Sequence, residues 1–101
     1  MALLKWGVNP FFGHHILRVI SRLDSVHQRV VGREMIITSA NDGKHGRNSL
    51  HYKDRAIDIR TRDLPHEKIT ALAAALQMEL GDDWDVVVEK THIHVEFDPK
   101  I

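Results

Sequence analysis

The chain has 101 residues, with 14 basic and 14 acidic side chains, a 43% apolar share and no cysteine. That length supports one domain with a single core, here residues 1–101, and the balanced charge gives no general attraction to nucleic acid or a membrane surface. Without cysteine there are no disulfides or thiolate metal sites, so a bound metal must use His, Asp and Glu, a donor set that favours catalytic over structural zinc.

No apolar run approaches the ~20 residues of a membrane span. Met1 to Gly7 carries too short an apolar core for a secretory signal, so the chain is expected to be made and kept in a cytoplasm, as a monomer. Residues 1–12 read as an apolar lead-in, with Trp6, Phe11 and Phe12 available to pack on the core. Asn9-Pro10 suits a helix start, because asparagine caps well and proline fits the first helical position. From there to about Val30, apolar residues recur at helical spacing through Ile16, Val19, Ile20, Leu23, Val26 and Val30. Arg18, Arg22, Asp24, Gln28 and Arg29 are assigned to the solvated side, and Gly32 is a natural stop.

Met35 to Ser39 reads as a short strand and Ala40 to Asn48 as a loop. A second strand begins at Ala56 and runs through Ile59 or Thr61. Pro65 opens a second helix, with Asp63 near its positive end, a stripe of Ile69, Leu72, Ala73, Leu76 and Leu80, and Gly81 as the stop. Trp84 to Glu89 is a strand, and Lys90-Thr91 is a tight connection to a final one, so the last two strands form an antiparallel hairpin. The order helix, strand, strand, helix, strand, strand predicts an α+β single domain, a mainly antiparallel sheet with two main helices.

Two stretches carry chemistry. His51 and Asp58 stand seven residues apart, the latter on the second strand. In the last strand, alternation puts Thr91, Ile93, Val95 and Phe97 on one face and His92, His94 and Glu96 on the other. Histidine, aspartate and histidine from two strands make a three-ligand zinc site with one position open. Asp58 lies among Ala56, Ile57 and Ile59, where a buried carboxylate needs a cation or several donors. The plainer alternative is a salt bridge from Asp58 to Arg55 or Arg60, with the histidines as surface or hydrogen-bonded residues.

Ser49-x-His51-x-x-x-x-Ala56-x-Asp58 followed by His92-x-His94 resembles the signature of the M15 peptidases, the zinc D-Ala-D-Ala carboxypeptidase family. The hedgehog signalling domain shares that fold. Its local likeness is close, through Asp42-Gly43, His45, Ser49-Leu50-His51-Tyr52, Arg55-Ala56, Asp58-Ile59 and His92-Ile93-His94. The resemblance implies a hedgehog/DD-peptidase-like fold and zinc held by His51, Asp58 and His94. It makes Glu89 the candidate base and His92 and His45 auxiliary catalytic groups. Arg47 or Lys44, with Ser49 in the motif, would meet the substrate. Asp54 stands where the family usually has glycine, and Glu89 lies five residues before His94, a spacing unlike either branch.

The function these residues imply is zinc-dependent hydrolysis of peptidoglycan stem peptides, as in a phage or prophage lysis enzyme. Zinc would polarise the scissile carbonyl and acidify its bound water, and Glu89 would take the proton. The rival expectation is a non-catalytic zinc module, as hedgehog domains are, binding a protein or a cell-wall ligand.

Overall fold

The computed structural model describes residues 3–4, 14–39 and 56–99. Their order is β1 (Leu3–Leu4), α1 (His14–Val31), β2 (Ile36–Ser39), β3 (Ala56–Arg60), α2 (His66–Leu80), β4 (Trp84–Val88) and β5 (His92–Phe97). The strands form one sheet in the order β1-β2-β3-β5-β4. Its four longer strands are antiparallel to their neighbours, and only the two-residue β1 runs parallel, against β2. The small α+β domain expected from the pattern is therefore present. The short edge strand was not expected: Leu3 and Leu4 lie in what reads as a lead-in, and Leu3 N–H donates to Met35 O at 2.9 Å.

The alternation of β3 and β5 divides the molecule into two sides. Ile57, Ile59, Ile93 and Val95 are fully buried and meet Ile16, Leu23 and Val26 of α1 and Leu72 and Leu76 of α2. Apolar burial on this scale is the main force joining helices to sheet. The helix stripes fall where the 3.6-residue period puts them. Of the residues expected on the solvated side of α1, however, Asp24 is buried at 4% exposure. Its Oδ1 accepts the Met35 N–H at 3.0 Å and its Oδ2 accepts from Gln28 Nε2 at 2.9 Å, which ties the middle of α1 to the residue before β2. A buried carboxylate is tolerated because these donors satisfy it.

Element ends follow local chemistry. Gly32, at φ +89°, and Gly81, at φ +87°, stop α1 and α2 in a conformation open to glycine, and each N–H returns to a carbonyl four residues back. Pro65 is the residue before α2 rather than its first helical one, and its carbonyl accepts the Lys68 and Ile69 N–H groups. Asp63 pairs with Arg33 at 2.9 Å. Among the described residues no helix is long and apolar enough to cross a membrane. The expected cap at Asn9-Pro10 and loop from Ala40 to Asn48 lie outside the described residues.

Candidate metal centre

The face of the sheet turned away from the helices carries the polar residues of β3 and β5. Pairing in register sets them in cross-strand rows. The first row is Arg60, His92 and, one step past the end of β4, Glu89, whose N–H donates to His92 O at 2.8 Å. The second is Asp58, His94 and Val87, and the third is Ala56, Glu96 and Asp85. Directly opposed side chains on one face stand ~4.5–5.5 Å apart at Cβ, close enough for Asp58 and His94 to meet.

They do meet. His94 Nδ1 lies 2.9 Å from Asp58 Oδ1, and His94 Nε2 lies 2.7 Å from Glu96 Oε1. An ionised carboxylate only accepts, so this arrangement favours the protonated ring, which can donate from both nitrogens. The hydrogen bond to Asp58 accordingly raises the His94 pKa above its ordinary value; burial opposes that shift, and the hydrogen bond to Glu96 reinforces it. His92 Nε2 reaches the other Asp58 oxygen, Oδ2, at 3.7 Å. Behind Asp58, β2 is bulged: Ile37 pairs with Ile59 and Ser39 with Asp58, so Thr38 is the extra residue.

The donor set suits a borderline metal such as zinc. One imidazole nitrogen and one carboxylate oxygen already point at each other, and tetrahedral zinc needs such a pair about 3.3 Å apart, a few tenths of an ångström wider than found here. Glu96 on the far nitrogen is the kind of partner that fixes a metal-bound histidine by accepting its other N–H. An acidic group that shares Glu96 with this site, Asp85, Glu96 and Asp98, brings ligand oxygens within 4.8 Å of one another and could hold a metal ion.

Of the residues expected in the site, the fold brings together Asp58, His94 and His92. Glu89 is exposed and sits a row away from His94, across from His92. His45, Arg47, Ser49 and His51, like Lys44, lie outside the described residues. The motif assigns Glu96 no role. Its position on the polar face of β5 was the available signal, since alternation puts it beside His94.

A family model of the hedgehog amino-terminal signalling domain matches residues 15–96. The chain is 39% identical over 79 residues to the Indian hedgehog protein of Gallus gallus, a stretch covering 76% of this chain and 19% of that protein. It is 38% identical over 72 residues to the protein hedgehog of Drosophila virilis, covering 69% of this chain and 15% of that one. It is 45% identical over 53 residues to the Sonic hedgehog protein of Danio rerio, covering 52% of this chain and 12% of that one. The chain thus spans less than a fifth of the length of these relatives.

These matches overturn the peptidase expectation. Membership in the M15 peptidases, hydrolysis of peptidoglycan stem peptides and a role as a lysis enzyme all give way to a signalling domain. The physical reason is that the motif consists of residues that hold a metal, and holding zinc does not specify a reaction. The expectation of a cytoplasmic location, which is tied to a lysis enzyme, falls with it, since the matches are to hedgehog proteins. The cell-wall peptide falls as the expected partner together with the peptidase assignment.

Proposed function

This chain belongs to the family of hedgehog amino-terminal signalling domains, and we propose that it is a zinc-holding signalling module whose polar sheet face is read by a protein receptor outside the cell. The reading treats residues 1–101 as one domain. Zinc is held by His51, Asp58 and His94, with His92 beside them as a donor to Asp58 or to a bound partner group. Hedgehog domains bind zinc. The observation that carries the assignment is the Asp58–His94 contact of 2.9 Å, with Glu96 on the far side of the ring. When bound, the metal would cross-link β3 and β5 to the segment bearing His51 and offer an open position to an oxygen or nitrogen of the partner.

Two measurements test this. Atomic emission on purified protein is expected to give one zinc per chain, falling to a small fraction in Asp58→Ala and His94→Ala. Zinc-loaded protein is expected to compete with the Indian hedgehog protein of Gallus gallus for cells that bind it, and chelated protein to compete far less well. Zinc retained in full by both variants would overturn the ligand set. Equal competition with and without metal would overturn the link between metal and recognition.

A further inference from the structure

Next to the metal pair lies a cavity of about 250 Å³ lined by Thr38, Arg60, Arg62 and Thr91. It brings together two guanidiniums and two hydroxyls, a set rich in donors. Arg60 follows Asp58 by two residues on β3, hence on the same face and ~6.6 Å along the strand. Among the described residues its buried Nε has no hydrogen-bond partner. A buried N–H of a charged group without an acceptor is costly, and few occur in folded proteins. The nearby acid does not supply that acceptor. Asp63 is 2.9 Å from Arg33 and only 3.8 Å from a terminal nitrogen of Arg60.

We propose that this cavity is a carboxylate-binding subsite, taking an acidic side chain or chain terminus of the protein partner. The proposal rests on the reading of this face as the partner-binding one. A guanidinium offers a planar fork that matches two carboxylate oxygens, and the threonine hydroxyls complete the ring of donors. With 14 basic and 14 acidic residues the chain carries no net positive charge to draw a polyanion.

The test is a titration of isotope-labelled protein, zinc-loaded and zinc-free, with acetate, inorganic phosphate and sulfate at constant ionic strength set by sodium chloride. The readouts are the Nε–H resonances of Arg60 and Arg62 and the amides of Thr38 and Thr91. Acetate is expected to shift them saturably in both metal states, with binding weakened about tenfold or more in Arg60→Gln and in the exposed-site variant Arg62→Gln. Shifts that never saturate, or saturation unchanged in both variants, would overturn the subsite. Saturation by phosphate or sulfate but not acetate would overturn the carboxylate assignment. Zinc content measured on the same samples separates the two readings. Zinc bound without acetate binding defeats only the subsite, and acetate bound by a chain that takes no zinc defeats only the metal centre.

Discussion

Replacing Glu96 by glutamine probes the metal centre through a residue that is not itself assigned as a ligand. In the zinc-free domain His94 donates from both nitrogens, to Asp58 Oδ1 at 2.9 Å and to Glu96 Oε1 at 2.7 Å. A metal bound at Nδ1 would take the place of that nitrogen's proton, while Nε2 would keep its proton and donate it to Glu96, holding the ring oriented. Removing such an orienting carboxylate typically costs about 10–100-fold in metal affinity. At about 1.36 kcal/mol per tenfold, that is about 1.4–2.7 kcal/mol. The side chains of His94 and Glu96 are 19% and 22% exposed, so water screens the pair only in part. Competition with a chromophoric chelator at neutral pH measures the affinity, and nitrogen chemical shifts of His94 report which ring nitrogen carries the proton. Glu96→Gln is expected to bind zinc about 10–100-fold more weakly. In its zinc-free form His94 should titrate at lower pH than in the unmodified domain. Affinity within twofold of the unmodified protein, with an unchanged His94 titration, would refute the orienting role.

Further outcomes follow from the same geometry. The raised His94 pKa in the zinc-free domain means its contribution to stability is fully present below the unfolded value near 6.5 and is lost as pH rises through the folded value. Zinc affinity should therefore climb with pH across that range, and calorimetry in buffers of different ionisation enthalpy should record a released proton. His27 behaves oppositely: burial pushes its pKa down, only partly offset by the Arg33 carbonyl that its Nδ1 contacts at 2.8 Å. The folded state then binds fewer protons than the unfolded one just below about pH 6.5, so thermal stability should fall on acidification through that value and fall less steeply in His27→Gln. Leu76→Ala empties a fully buried position of α2 and should cost about 2–5 kcal/mol in urea unfolding. Gly81→Ala meets no atom within 4 Å but forces a side chain onto φ +87°, ψ −170°, and should cost about 1–3 kcal/mol through backbone strain alone.

Asp24 shows where local pattern stops being informative. It falls among polar residues of α1, yet the turn into β2 buries it to accept the Met35 N–H. No period in the sequence reveals such a tether, because its partner lies eleven residues away in a different element. The functional error had another source. The residues of the motif and their metal-ligating chemistry were legible, but reaction and recognition can use the same donor set. The distinction lay in the rest of the chain, over residues 15–96, where the likeness is to signalling domains.

By itself the sequence determined the elements and their faces. The 3.6-residue stripes of α1 and α2 and the alternation of β5 follow from side-chain periodicity, which is local and needs no knowledge of neighbours. It also placed His92, His94 and Glu96 on one side of a strand. Tertiary structure alone decided which strand lies beside β5. Once β3 pairs with it in antiparallel register, Asp58 stands opposite His94, 36 residues away in the chain, and Glu96 closes on the far nitrogen of the same ring. The same register moves Glu89 into the next row and sets Arg60 beside the pair. Pairing of distant strands is chosen by burial of the whole apolar face, a property of the assembled sheet that no stretch of residues carries alone.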